Sequence, residues 1–311
     1  MMSERSNTKE LTKELFRKLT VRPPADVVLG ESVPIWRDVW RRLRSNRAAM
    51  AGLVFMIIVV VMAIIGPMIS PHDYWTNSLE HTNEPPSGEY WFGTDDLGRD
   101  MFSRVWMGAR ISLIVGLAAA ALDLILGVIY GGIMGYVGGR TDEVMNKASE
   151  ILYAIPYLLV VILLLVVMEP SMWTIILALA VTGWINMSWI VRGQIMQLKN
   201  QEYVLAARSM GAGGSRILFR HLIPNTLGPI IVTITLTVPS AIFAEAFLSF
   251  LGLGVQSPAA SLGTMINDAL DSWTIFPWQM MFPAVLISLT MLAFNVFGDG
   301  LRDAFDPKTR K

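Results

Sequence analysis

Hydrophobic residues fall along this chain in long uninterrupted blocks, not at the three-to-four-residue beat of a helix that keeps one wet face. Six blocks stand out, at 48–69, 111–137, 151–168, 171–191, 227–251 and 280–298. Four contain no Asp, Glu, Lys or Arg; the second holds only Asp123 and the fifth only Glu245. A helix needs about 20 residues to cross a hydrocarbon core of roughly 30 Å, and one that is apolar on every side has no face to offer water. The run AAMAGLVFMIIVVVMAIIGPMI (48–69) is of this kind. The pattern predicts an all-α, polytopic integral membrane protein with six transmembrane helices, because lipid tolerates only elements that satisfy their own backbone polar groups.

Composition agrees. Of 311 residues, 53% are hydrophobic and 16% charged, a balance unlike that of a soluble enzyme. Twenty-five Lys and Arg offset 25 Asp and Glu, so the net basic footprint of a nucleic-acid binder is missing. With no cysteine, and with His72, His81 and His221 scattered, neither a thiolate centre nor an H-E-x-x-H metal site is expected. Sidedness follows from the basic residues. The N-tail, alternate loops and C-tail carry 22 Lys and Arg; the opposite face carries three, all within 70–110. By the positive-inside rule both termini are cytoplasmic, and the loop at 192–226 with them. A polar segment of 47 residues ahead of the first block, with no A-x-A pattern after that block, argues against a cleaved signal peptide. The organisation expected is a cytosolic N-tail (1–47), a first span with its external loop (48–110), and a core domain (111–311).

Two polar stretches carry further pattern. Ile35, Trp36, Val39, Trp40 and Leu43 recur at helical spacing among Arg37, Arg41, Arg42 and Arg44, which predicts an amphipathic helix at the lipid interface. Before it, ELTKELFRKL and RPPADV read as a short helix and a proline-broken linker. Within 192–226, residues 201–210 are good helix formers. GAGG (211–214) supplies positive-φ positions, and Ser215 can cap a second helix ending near Pro224. Val204, Leu205, Ala207 and Met210 make an apolar face too small for a domain core and suited to a groove on another protein. The other reading of that helix is an amphipathic segment lying on the membrane.

The order Ala206, Ala207, three residues, Gly211, then Pro224 resembles the EAA loop of ABC importer permeases, whose coupling helix sits in a cleft of the ATPase subunit. Leu205 stands where that motif usually has Glu. The form Tyr203-Val204-Leu205-Ala206-Ala207-Arg208 resembles the peptide/nickel branch of the family. FGTDDLGRDMFSRVWMGARISL (92–113), GYVGG (135–139) and AEAFLSFLGLGVQSPAASLGTMI (244–266) point to the same branch, in its C-type subunit of oligopeptide or dipeptide transporters. The resemblance implies a type I ABC importer permease fold in the bacterial cytoplasmic (inner) membrane. It implies ATPase coupling through Glu202, Tyr203, Leu205, Ala206, Ala207, Arg208, Gly211 and Pro224. It also implies a homologous permease as heterodimer partner, two cytosolic ABC ATPase subunits that carry ATP and Mg, an extracytoplasmic binding protein and a peptide substrate. No G-x-x-x-x-G-K-[ST] occurs, so this chain is expected to bind no cofactor and to hydrolyse nothing itself. A nickel or other small-solute importer shares these motifs. A secondary transporter would be expected to show inverted repeats or charged pairs at mid-membrane, and the sequence has neither.

Ionisable residues inside spans usually face protein or water. Glu245 is a candidate for the translocation path or gate, against a buried contact to a neighbouring helix; for Asp123 the buried contact is the stronger reading. Asp95, Arg99 and Asp100, with Asp96 and Arg104 beside Trp91 and Phe92, could receive the binding protein or form a solvated charge run that pairs with itself. Gly127, Gly131, Gly132 and Gly135 share helical spacing that permits close helix packing.

Overall fold

The computed structural model describes residues 35–256 and 258–306. The readings made on residues 1–34 lie outside the described residues. The chain divides into units 1–38 and 39–311. Among the described residues every regular element is helical: α1 (Ile35–Ser45), α2 (Arg47–Ile69), α3 (Met101–Val137), α4 (Gly139–Tyr153), α5 (Tyr157–Met168), α6 (Met172–Thr182), α7 (Trp184–Leu198), α8 (Glu202–Ser209), α9 (Gly214–Ile217), α10 (Ile223–Asn225), α11 (Leu227–Leu248), α12 (Leu262–Asp268) and α13 (Pro277–Phe305). A π turn at Leu218–Leu222 links α9 to α10, and another at Ser249–Leu253 extends α11.

Among the described residues, five helical stretches are long and apolar enough to cross a membrane: Arg47–Ile69, Met101–Val137, Met172–Leu198, Leu227–Leu253 and Pro277–Phe305. The predicted block at 151–168 differs. The chain breaks before Tyr157, because Pro156 cannot donate to a continuing ladder, and α4 and α5 meet at 77°. Alone, α5 has 12 residues and covers about 18 Å, less than a hydrocarbon core. Only the bent pair of α4 and α5 taken together reaches the length of a span, and α4 fills most of the stretch between the second and third apolar blocks.

Helix α3 is the axle of the bundle. It starts ten residues ahead of the apolar block because Asp100 caps it, its side chain accepting from Phe102 N and Ser103 N. Its first turns are buried in protein, so Arg104 and Arg110 do not end it. On one side Val105, Ala109 and Leu113 pack with Val59 and Ala63 of α2 and with Val238 and Ile242 of α11. Farther along, Val115 and Ala119 pack with Val161 of α5 and with Ile175 and Leu179 of α6.

Proline inside α2 explains one cross-helix contact. Pro67 has no N–H to give the carbonyl of Ala63, four residues back. Arg110 of α3 supplies the missing donor, Nε to Ala63 O at 2.7 Å and Nη2 to Ile64 O at 2.8 Å. Arg110→Ala is therefore expected to destabilise the detergent-solubilised protein by about 1–3 kcal/mol, as loss of a charged donor to a buried carbonyl does. In a Pro67→Ala background, where the helix satisfies Ala63 itself, the loss should shrink to less than half. Equal losses in thermal unfolding of both backgrounds would contradict this account.

The amphipathic face of α1 is split. Val39 and Leu43 are buried against Ala49, Leu301 and Ala304, while Trp36 and Trp40 remain exposed. Four-residue spacing places Val39 and Leu43 on one line of the helix, and protein rather than lipid covers that line.

Candidate functional site

The loop between α7 and α11 follows the predicted order of helix, glycine elbow, helix. After Ser209 the chain closes with a paired hydrogen-bond motif: Gly211 N donates to Arg208 O and Ala212 N to Ala207 O, both at 3.0 Å. Gly211 sits at φ +84°, the left-handed conformation this helix ending requires. The second helix starts two residues earlier than expected. Gly213, not Ser215, occupies its cap position, and Ser215 lies inside the first turn. Helical structure also runs past Pro224, through the π turn and α10, whose first turn accommodates the proline.

Two faces of this loop do different work. Val204 and Ala207 are buried, and Val204 packs with Val191, Ile195, Ile217, Leu222 and Ile230. The remaining predicted coupling residues, Glu202, Tyr203, Leu205, Ala206, Arg208, Gly211 and Pro224, are exposed. Leu205 is 47% and Met210 82% exposed, so the apolar face expected as one surface is divided between an inner anchor and an outer ridge. Polar staples fix the base. Arg192 of α7 grips Asp142 of α4 with two hydrogen bonds, Nη2 to Oδ2 at 2.7 Å. Trp189 Nε1 donates to Ser149 Oγ at 3.2 Å. Lys199 Nζ donates to Gly135 O at 2.9 Å, satisfying a carbonyl where α3 ends at the glycine pair 138–139.

The other predicted site residues behave differently. Glu245 is fully buried; its carboxylate accepts from Ser112 Oγ of α3 and from Ser249 Oγ, each at 2.7 Å. In this arrangement Glu245 makes a buried contact between helices: a carboxylate in this setting persists where donors meet it, and these two serines do. Asp95, Arg99 and Asp100 are 7%, 6% and 2% exposed, so this charged run pairs within the protein and is not solvated. Asp95 accepts from the backbone of Leu97 and Arg99 and from Arg99 Nε at 2.7 Å, and Arg104 Nε lies 3.3 Å away. Asp100, besides capping α3, accepts from Ser70 Oγ at 2.7 Å. Phe92 stacks on Phe282 at 4.0 Å, and Gln279 donates to Asn83 Oδ1 and Thr94 O, which pins this loop to α13. Nearby, burial lifts Asp268 above the usual carboxylate range, opposed by Arg104. On the exposed rim, the hydrogen bond with Glu84 holds the His81 imidazole above its ordinary value.

A cavity of about 460 Å³ opens between α3, α5, α6, α7 and α11. Its polar wall is Asp123, Tyr157, Thr182, Asn186, Thr233, Thr237 and Ser240. Sequence reading passed over all of these but Asp123, which it assigned to a buried helix contact. The signal was there: Thr233, Thr237 and Ser240 recur at four and three residues, a polar stripe on one face of an apolar helix.

A polytopic, all-helical membrane protein with a rigidly based polar loop is the class this architecture defines. Residues 127–311 match the family described as "Binding-protein-dependent transport system inner membrane component". Residues 35–86 match "N-terminal TM domain of oligopeptide transport permease C". The chain is 57% identical over 287 residues to "Oligopeptide transport system permease protein OppC" of Bacillus subtilis (strain 168), covering 92% of this chain and 94% of the relative. It is 57% identical over 292 residues to "Dipeptide transport system permease protein DppC" of the same organism, covering 92% and 90%. To the OppC of Escherichia coli (strain K12) it is 42% identical over 282 residues, covering 90% and 93%. The chain belongs to the binding-protein-dependent transport system inner membrane component family, and it is a multi-pass protein of the bacterial inner membrane.

Proposed function

We propose that this chain is the non-catalytic permease subunit of an ATP-binding cassette importer, carrying oligopeptides or dipeptides into the cytoplasm by alternating access. The relatives named for oligopeptide and dipeptide transport, at 57% identity over most of both chains, favour peptides over nickel as cargo. In this reading the chain crosses the membrane six times, α4 and α5 together making the third crossing. Both termini are cytoplasmic, 1–47 is a tail with an interfacial helix, 48–110 a first span with its external loop, and 111–311 the transporting core. A second, homologous permease completes the pathway. Two cytosolic ATPase subunits hold ATP and Mg. An extracytoplasmic binding protein delivers cargo at the outer end, where Asp95, Arg99 and Asp100 shape the receiving loop from within while Asp96 and Trp91 are exposed on it.

The observation that carries the reading is the division of the 201–224 loop. Its outer ridge of Tyr203, Leu205, Arg208 and Met210 is free to enter an ATPase cleft, and its inner face is built into α7 and α11. A push on the ridge is passed to the spans because Val204, Ile217 and Leu222 are packed with Val191 and Ile230. Closure of the ATPase dimer on ATP can change the permease only through a difference in its affinity for the two arrangements.

Replacing Leu205 with Asp tests this. The purified subunit should keep its melting temperature, because residue 205 is exposed, while co-purification of the ATPase and peptide uptake fall at least tenfold, since a desolvated charge at an interface centre costs about 2–5 kcal/mol. Val204→Asp should instead destabilise the subunit itself. Wild-type retention of the ATPase by Leu205→Asp would reject the docking role.

A further inference from the structure

We infer that the membrane-embedded cavity between α3, α5, α6, α7 and α11 is a subsite for the ammonium group of the cargo, with the Asp123 carboxylate as its counter-charge. The inference rests on the peptide-import reading and specifies where in this chain the amino terminus of a peptide is held.

Asp123 is 5% exposed, lines the cavity, and its Oδ1 has no hydrogen-bond partner. Glu245, the other acid within the apolar blocks, has two serine donors; Asp123 Oδ1 has none, and the residue lines the cavity. The surroundings make room for it. A Cβ at Gly183, where α6 gives way to α7, would collide with the Asp123 carboxylate. Among the described residues no other charged side chain lines the cavity.

The α11 side of the wall is biased toward accepting, while the unpartnered Tyr157 hydroxyl and the Asn186 amide add donors elsewhere in the lining. Thr233 Oγ1 donates to Pro229 O, Thr237 Oγ1 to Thr233 O, and Ser240 Oγ to Leu236 O, at 2.8, 3.0 and 3.0 Å. With their protons committed to the helix, these hydroxyls turn lone pairs to the cavity. One carboxylate facing this row of acceptors suits a compact group with several N–H donors and one positive charge, which describes a primary ammonium. Among the described residues no three His, Cys, Asp or Glu side chains gather to hold a metal ion. The volume lies within the roughly 300–1,000 Å³ of small-molecule sites.

The chain has no cysteine, so Ser240→Cys creates a single thiol on the cavity wall of this subunit. With the whole transporter in membrane vesicles, modification of that thiol is timed with a trimethylammonium-bearing and a sulfonate-bearing methanethiosulfonate, and read on the isolated subunit. The cationic-to-anionic rate ratio should fall about tenfold or more when Asp123→Asn is added, the scale of local counter-ion enrichment in a charged cleft, and Asp123→Glu should restore it. An unlabelled dipeptide with a free amino terminus should slow modification, and its N-acetylated counterpart should not. An unchanged ratio in Asp123→Asn, or equal protection by both dipeptides, overturns the subsite. Protection is measured with Asp123 intact, so it decides the matter even where variants at 123 fail to assemble. Peptide uptake by wild-type vesicles is followed in parallel. Its absence would reject peptide import, whereas the reagent ratio judges the charge independently.

Discussion

Replacing Gly131 with leucine is expected to leave almost no folded subunit in the membrane. Gly127, Gly131 and Gly135 lie four residues apart on α3 and face α7. A Cβ at 127 would stand 2.6 Å from Met187 Cβ, and one at 135 would stand 2.8 Å from Arg192 O. At 131 it would fall on the backbone of Ser188, 2.9 Å from its Cα and closer still to its carbonyl oxygen. Backbone cannot rotate aside as a side chain can. Excess volume in a packed core costs about 1–3 kcal/mol when neighbours can shift; here a whole helix must move, and Ile195, Val191 and Met187 would leave the cluster that seats the 201–224 loop. Gly132→Ala and Gly193→Ala are the controls. The nearest atom to a Cβ at 132 is 3.5 Å away, and nothing lies within 4 Å of one at 193. Both should accumulate and melt like the parent, whereas Gly131→Leu should be degraded or elute as aggregate. A monodisperse Gly131→Leu subunit with an unchanged melting temperature would refute this packing.

The four glycines at 127, 131, 132 and 135 were legible as a packing stripe because small residues at helical spacing have few other uses inside an apolar run. That Gly132 stands apart from the other three was not legible, since it depends on what faces each one. The limits of α2 were visible for the same reason that its apolar run was: few polar residues interrupt it. The early start of α3 was hidden because Arg104 and Arg110 mimic the end of a span, although Arg104 is buried in protein and Arg110 bonds back to α2. The loop at 201–224 could be drawn in advance from Gly211, whose backbone requirement is local. Which of Val204 and Leu205 turned inward could not, because adjacent helical residues diverge by about 100° and only the position of α7 decides between them. Glu245 and Asp123 are alike in sequence, one acid in each of two apolar blocks. Their separation into a satisfied contact and an unsatisfied cavity residue arises from Ser112 and Ser249, which lie 133 and four residues from Glu245.

Gly211→Val is expected to lower uptake at least tenfold with little change in the stability of the subunit. Nothing lies within 4 Å of a Cβ placed at 211, so the effect does not come from crowding. It comes from φ +84°, which costs an L-residue roughly 1–2 kcal/mol and a β-branched one more. The chain can relieve that strain by giving up the two hydrogen bonds that end α8, from Gly211 N to Arg208 O and from Ala212 N to Ala207 O. Val204 and Ala207 hold α8 from beneath, so the displacement falls on the exposed elbow, between the ridge that meets the ATPase and the helix leading to α11. Every 1.4 kcal/mol by which the productive elbow is disfavoured removes a factor of about ten from its population. Asparagine enters the left-handed region far more readily than valine, and Gly211→Asn should keep most of the uptake. Peptide uptake and ATP hydrolysis are to be measured on the same reconstituted complex, with hydrolysis persisting in Gly211→Val as transport is lost. Parental uptake by the valine variant, or an equal loss with asparagine, would show that the elbow's backbone geometry does not transmit the stroke.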